Sequence, residues 1–343
     1  MQHGRYACRF VALTVLLTSG LCPSGLAQVL VGTGSTVPVP LYRAVAADYS
    51  KRNSTIQLKY LPLGTSEGIN QISHGVGDFG AGEVPLTQKQ RAEGHLIELP
   101  VALIGIVPIY CLPDVTQDLR FSGDLLAEIY LGHIKNWNAP QIARLNPSVS
   151  LPNLPITIIY RPQGKGTNYV FTDFLSKRSP SFREQIGVSP SPNWPVGTAA
   201  ERSSDMVDKV RNTPGAIGYV ELQYALTQHV RYGLVSNPAG KFIRASAETI
   251  RAACEAVESP QWDRFSASLT DAPGRDAFPI SSFTWIYVQK KKAADPSRAT
   301  ALAIFLDWML MLSGGQHLSA QLGYSELPEQ LRVKARAVVN SIR

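Results

Sequence analysis

The chain has only four cysteines among 343 residues, and none of them stands in a C-x-x-C spacing. No cysteine has an arginine six residues on either, so redox, zinc and cysteine-phosphatase chemistry have no motif to rest on. Histidine is also scarce: those at 74, 95, 133, 229 and 317 are too scattered for a metal cluster, and H-E-x-x-H is absent. His133 in "LGHIKNW" reads as structural rather than catalytic. Long apolar runs are missing beyond the N-terminus. The longest, "ATALAIFLDWMLMLSGG", is interrupted by Asp307 and falls short of the ~20 residues a bilayer needs. It reads instead as a buried helix stopped by Gly314 and Gly315. Internal repeats and low-complexity linkers are lacking as well. The one basic run, "QKKKAADPSR", has no interleaved aromatics and reads as a solvated loop, so no nucleic-acid partner is expected.

Residues 1–27 have the pattern of an export signal: Arg5 and Arg9, an apolar core from Phe10 to Leu17, then Gly25 and Ala27 before a cut. Leu21 precedes Cys22 where a lipoprotein signal needs a small residue, so a lipid anchor is not expected. Removing the signal leaves Cys111 and Cys254, which could pair in an oxidising compartment. Their apolar neighbours favour two small core residues instead. The remaining 316 of 343 residues suggest two domains, and a content of 44% hydrophobic residues is enough to bury real cores. The net charge of +7 falls to about +5 without the two signal arginines, a mild excess compatible with many anions.

Strand-like runs alternate with amphipathic helices, which predicts an α/β architecture with largely parallel sheets. Three of these units share a feature. "VLVG", "IQLKYLPL" and "ITIIYR" each run into a loop rich in Gly, Ser and Thr, at residues 32–38, 64–68 and 164–167, and a helix follows. A helix start carries unpaired N–H groups and a partial positive charge, so it suits an anion. Singly, each loop is explained by ordinary capping and turn chemistry. Three together, one beside Arg161, point to convergence on a small oxyanion. A nucleotide phosphate does not fit the third loop: the P-loop pattern fails at Ile159, where its first glycine belongs, and at Gly166, where a hydroxyl belongs.

The motifs "GTGSTVPVPLY", "YLPLGTSEGINQI", "GDFGAGEVPLT", "LGHIKNWNAPQIARLNP", "GKGTNYVFTDFLS", "NWPVG" and "NTPGAIGYVELQYA" resemble, in order, those of the periplasmic phosphate-binding proteins of phosphate ABC importers. The resemblance runs from the end of the signal almost to the C-terminus. It implies two α/β lobes (the type II binding-protein fold), each a mixed, mostly parallel sheet flanked by helices, joined by a hinge the chain crosses twice. Lobe I would be residues 28–104 plus 283–343, and lobe II residues 105–282. It further implies a monomer in the periplasm that binds inorganic phosphate, delivers it to an inner-membrane ABC permease, and needs neither metal nor cofactor.

Carried over by position, the resemblance implies that Thr36 donates through hydroxyl and backbone, and Val37 through its N–H. Thr65 stands for the family's usual Ser, and Glu83 for the Asp that accepts the phosphate proton. Arg161 supplies a charged fork, and Lys165, Gly166 and Thr167 form the helix start. Lys165 replaces a Ser, and Gln163 an Asp that usually pairs with the arginine. Over these positions the charge is +1 where the family pattern gives −1. The Lys165 side chain would either pair with Glu83, weakening discrimination against sulfate, or swing into solvent and leave only its backbone N–H facing the anion. Two alternatives therefore stand beside phosphate transport: a paralogue binding another tetrahedral oxyanion or phosphorylated small molecule as sensor or scavenger, and, with little motif support, a phosphomonoesterase.

Overall fold

Fifteen residues, "LIELPVALIGIVPIY" from Leu96 to Tyr110, form one strand of which all but Ile97 are buried. A continuous apolar run of this kind belongs to a strand covered on both faces. Pro100 sits opposite Trp285 where the register shifts, the sort of irregularity that admits proline in a central strand. The computed structural model describes residues 28–53, 55–257, 265–290, 296–340 and 342. The export signal with Cys8 and Cys22, and residues 291–295 of the basic run, lie outside the described residues.

Eleven strands are present among the described residues: β1 (Gln28–Gly34), β2 (Ile56–Leu61), β3 (Phe79–Gly82), β4 (Leu96–Tyr110), β5 (Arg120–Phe121), β6 (Thr157–Tyr160), β7 (Thr198–Ala199), β8 (Ala216–Glu221), β9 (Leu234–Ser236), β10 (Phe242–Ile243) and β11 (Ser281–Gln289). Eight of them form one sheet in the order β2-β1-β3-β11-β4-β8-β6-β7, and β10-β9-β5 form a small second sheet. The large sheet is parallel toward both ends, with β1 beside β2 and β3, and β6 beside β7 and β8. Its centre is antiparallel, because β11 pairs with β3 and β4, and β4 with β8. β4 changes partner along its length: residues through Gly105 pair with β11, and those from Ile106 pair with β8. One strand therefore serves two halves of the molecule.

Helices cover the sheet by presenting apolar faces. In Val39–Arg52 the buried residues are Leu41, Tyr42, Val45 and Tyr49, spaced for one side of a helix. Tyr42 stacks on Tyr60 at 4.3 Å, and Tyr49 meets Trp308 at 5.0 Å. Burying such aromatic rings contributes about 1.5–3 kcal/mol each. The helix Pro296–Met309 ends before the glycines expected to stop it, and Met311 and Leu312 are exposed. Gly314 and Gly315 instead let the chain fold back over the helix end. A Cβ on Gly314 would lie 2.4 Å from the Trp308 carbonyl, and Gln316 Nε2 donates to the Met309 carbonyl at 3.0 Å. Arg298, at the end of the basic run, lies in the helix Pro296–Met309 rather than a loop and, while its side chain stays 41% exposed, binds Asp78 through both Nε and Nη2. Cys254 is buried and Cys111 partly so, and both are free thiols. No described helix is long and apolar enough to cross a membrane.

Gly34 closes β1 with φ +142°, and a Cβ there would lie 2.0 Å from the Ala81 carbonyl oxygen. That approach allows Ser35 N–H to reach Ala81 O at 2.9 Å and Gly64 N–H to reach Gly34 O at 2.7 Å. Gly34→Ala should cost about 1–3 kcal/mol in backbone strain alone, with the clash added, and lower Tm by several degrees. Gly240→Ala, at φ +75° with nothing within 4 Å, should lower it less. Equal losses in thermal unfolding would contradict this reading of Gly34.

Candidate functional site

β1, β2 and β6 each end at a loop from which a helix starts, as the sequence predicts. Pro38, Gly64 and Lys165 precede the helices Val39–Arg52, Thr65–Ser73 and Gly166–Arg178, and none of the three starts has a side-chain cap. Elsewhere Thr87, Ser122, Ser179 and Ser246 cap their helices, while the starts at Ala139, Arg202, Glu221 and Gly314 also lack a side-chain cap. The uncapped first turns leave N–H donors for other acceptors.

The three loops touch one another. Ser66 N–H donates to the Gly164 carbonyl at 3.2 Å, and Arg161 Nη2 to Thr36 Oγ1 at 3.0 Å. A Cβ on Gly166 would lie 2.1 Å from Glu83 Oε2 and 2.7 Å from Thr65 Oγ1, so only glycine admits this approach. Thr36, Thr65, Glu83, Arg161, Gly166 and Thr167 thus gather in one place, as the motifs imply.

Arg161 follows β6 and is 2% exposed. Its backbone N–H donates to Tyr219 Oη at 3.1 Å, and Asn168 Nδ2 donates to its carbonyl at 3.1 Å. Asn168 also holds the carbonyls of Pro162 and Pro190, and Tyr219 donates to Asn168 Oδ1, so the loop is fixed from two sides. The guanidinium Nε and Nη1 and the Thr167 hydroxyl are buried with no partner among the described residues. Three fixed, dry donors of this kind fit an oxyanion.

Glu83 leaves β3 fully buried. Its Oε2 accepts from Ser35 Oγ at 2.6 Å and Thr65 Oγ1 at 3.1 Å, and its Oε1 from Thr284 Oγ1 at 3.1 Å. Burial pushes its carboxyl up to about 7 against the pull of these hydroxyls, with the nearby Glu221 charge adding to the rise. The group is therefore poised between acid and carboxylate near neutral pH.

Two predicted donors face elsewhere. Val37 N–H donates to Ser35 Oγ at 3.1 Å, and Lys165 N–H to the Pro190 carbonyl at 3.1 Å. The Lys165 side chain follows neither expectation: its Nζ lies 3.5 Å from Glu201 Oε2, with only 14% of the side chain exposed. It is neither paired with Glu83 nor free in solvent, because Glu201, in the loop after β7, is the acceptor within reach. Glu201, Ser35, Thr284 and Glu221 are missing from the sequence-based set. Ser35 and Glu221 stand inside quoted motifs, whereas nothing local marks Glu201 or Thr284. With these included, Arg161 and Lys165 meet three carboxylates, so the charge of +1 counted from the motifs does not describe the assembled site.

Gly64–Gly68 also spells G-x-S-x-G, the pattern of a hydrolase elbow. Ser66 does not act as one: it is exposed, it is not among the residues of positive φ, and no histidine bonds it among the described residues. No group of three or more potential metal ligands occurs there either.

Glu83 ionises near 4.5 when exposed and near 7 when folded, so between these values the folded chain holds more protons. Stability is full below pH 4.5 and falls as pH rises through 7, by about 3 kcal/mol in all. Thermal unfolding of ligand-free wild type and Glu83→Gln should therefore diverge, the variant gaining on wild type between pH 5 and pH 8. A constant difference in Tm across that range would contradict the assignment.

Known proteins share this framework. The family model described as a PBP superfamily domain matches residues 23–311. The phosphate-binding protein PstS of Pasteurella multocida is 32% identical over 329 residues, covering 95% of this chain and 94% of its own. That of Haemophilus influenzae is 33% identical over 314 residues, with 91% and 93% covered. Among solved structures, a high-affinity periplasmic phosphate-binding protein with phosphate bound superposes with a TM-score of 0.71 at 18% identity, covering 90% of this chain and 93% of its own. An ABC-type phosphate transport receptor from Vibrio cholerae gives a TM-score of 0.57 at 16% identity, with 87% and 100% covered. By fold and by sequence the chain belongs to the family of the phosphate-binding proteins PstS, within the PBP superfamily.

Proposed function

We propose that the protein captures inorganic phosphate between two lobes and hands it to an ABC-type permease, without chemistry on the ligand. The observation that carries this reading is Arg161: a buried guanidinium with two unpartnered donor nitrogens, at the meeting point of three uncapped helix starts. The names of the two relatives described above, both phosphate-binding proteins PstS, point the same way. Lobe I would comprise residues 28–104 and 283–343 and lobe II the segment between. The change of partner along β4 between Gly105 and Ile106 supports a hinge there. Residues 1–27 would act as the export signal, placing a monomer in the periplasm.

In this reading Arg161 grips two oxygens, while Thr36, Thr167 and the first-turn N–H groups of Gly166 and Thr167 donate to the others, and Thr65 joins them by giving up its bond to Glu83. Val37 N–H reaches the ligand by exchanging its bond with Ser35. Lys165 sits on the rim beside Glu201 and contributes attraction rather than a contact. Glu83 reads the ligand's proton: as a carboxylate it accepts from hydrogen phosphate and repels sulfate, which has no proton to give. The reading of a different tetrahedral oxyanion draws on one observation. A Glu83 that ionises near 7 can itself donate in mild acid, and a proton-free anion then becomes acceptable.

Calorimetry on residues 28–343, stripped of anion by unfolding and refolding, tests the assignment. Wild type should bind phosphate tightly at pH 8 and ignore sulfate. Thr36→Asp should abolish binding by setting a negative charge against the anion, and Arg161→Met should weaken it roughly 30-fold or more, as loss of a buried charged contact does. Retained tight binding in either variant would remove the site, and absence of phosphate binding in wild type would remove the function.

A further inference from the structure

The loop after β1 carries Thr36, and the chain on either side of that residue is held by hydrogen bonds. Ser35 N–H donates to the Ala81 carbonyl at 2.9 Å, and the Ser35 hydroxyl donates to Glu83 at 2.6 Å. The Ser35 carbonyl accepts from Tyr60 Oη at 2.7 Å, and the Val37 carbonyl accepts from Tyr324 Oη at 2.9 Å. These two donors lie 25 and 287 positions away in the chain, so the fold and not the local turn supplies them. Both rings are fixed. Tyr60 pairs with Gly32 across β2 and β1, and its ring stacks on Tyr42 at 4.3 Å. Tyr324 is fully buried, and its neighbours are held on either side: Gln223 Nε2 donates to the Gly323 carbonyl at 2.8 Å, and Ser325 makes two backbone bonds to Leu103 of β4.

In a trans peptide the C=O and N–H groups point in opposite directions, and no described peptide is cis. A Ser35 carbonyl held by Tyr60 therefore sends the Thr36 N–H away from that tyrosine. The Val37 carbonyl is followed by Pro38, so its peptide has no N–H, and turned toward an anion it would offer only a partly negative oxygen. The same arrangement recurs beside Glu83: Val84 precedes Pro85, and the Val84 carbonyl accepts from Tyr287 Oη at 2.6 Å. A tyrosine hydroxyl has one proton to donate, and in each case a carbonyl takes it. These rings act on the backbone around the site and not on a ligand.

Resting on the phosphate reading above, we infer that Tyr60 and Tyr324 are positioning residues for anion capture. Their hydroxyls draw the Ser35 and Val37 carbonyls away from the anion, so that the loop offers it the Thr36 N–H and hydroxyl and no acceptor. Removing either hydroxyl frees a carbonyl, and the loop then takes up orientations that repel the ligand.

The test uses Tyr60→Phe and Tyr324→Phe, which keep the rings and remove only the bonds. Tyr110→Phe is the control, because the Tyr110 hydroxyl accepts from Leu119 N–H at 2.8 Å, outside the three anion loops. Calorimetric titration should show phosphate binding weakened roughly fivefold or more in Tyr60→Phe and in Tyr324→Phe, as expected for a buried carbonyl left without its partner. Tyr110→Phe should leave it unchanged even where it lowers Tm as much. A spectroscopic readout separates positioning from loss of stability: in ¹⁵N-threonine-labelled protein the Thr36 amide proton should move downfield when phosphate saturates wild type, and move less in saturated Tyr60→Phe. Unchanged affinity in the two variants, a weakening that follows Tm in all three, or equal Thr36 shifts would overturn the inference while leaving phosphate binding in place. A wild type that binds no phosphate removes both readings. If one variant fails to fold, the other carries the titration, since the two hydroxyls hold different peptides.

Discussion

A fully buried carboxyl group governs this structure, because segments distant in sequence are bonded to Glu83 or packed against it. Three hydroxyls hold the group, from the loop after β1, from the helix after β2 and from β11. Gly166 brings the second half of the chain against it at a distance only glycine allows, and a Cβ on Gly82 beside it would meet Thr65 at 2.2 Å. Burial disfavours the carboxylate, and the hydroxyls restore part of the loss. The resulting balance near neutral pH is what a reader of a ligand's proton requires.

The fold places that carboxyl opposite the donors. β4 threads both halves of the sheet, and the parallel strands of the two halves run toward each other, so that their carboxyl ends meet near the point where β4 changes partner. From one half come Thr36, Thr65 and Glu83, and from the other Arg161, Gly166 and Thr167. The two sets differ in chemical character. The first holds the buried carboxyl, and the second holds the buried guanidinium. Tyr219 and Asn168 fix the backbone of the buried Arg161.

Much of this was legible in the sequence because the signals are local. A strand, a Gly/Ser/Thr loop and a helix are contiguous, so all three strand–loop–helix units could be read directly, and the order of the motifs brought Arg161 and Glu83 into view. What was hidden depends on contacts between distant segments. Thr284 meets Glu83 across 201 positions, and no periodicity marks it. The Lys165 side chain was open between two fates because Glu201, its acceptor, lies in a different loop. Val37 N–H turned to Ser35, a competition within one loop that the pattern of residues does not rank. The basic run and the last apolar helix were misread in part for a similar reason: Arg298 finds Asp78 across the fold, and two glycines reverse the chain rather than merely ending a helix.

The central claim is that one tetrahedral oxyanion is held between Arg161 and Glu83. A crystal structure of residues 28–343 grown with phosphate at pH 8 tests it most directly. The account predicts phosphate oxygens within hydrogen-bonding distance of Arg161 Nε and Nη1, of the hydroxyls of Thr36, Thr65 and Thr167, and of one Glu83 oxygen, with Lys165 still beside Glu201. Phosphate bound elsewhere, or a cleft in which Arg161 pairs directly with Glu83 and excludes the anion, would contradict it.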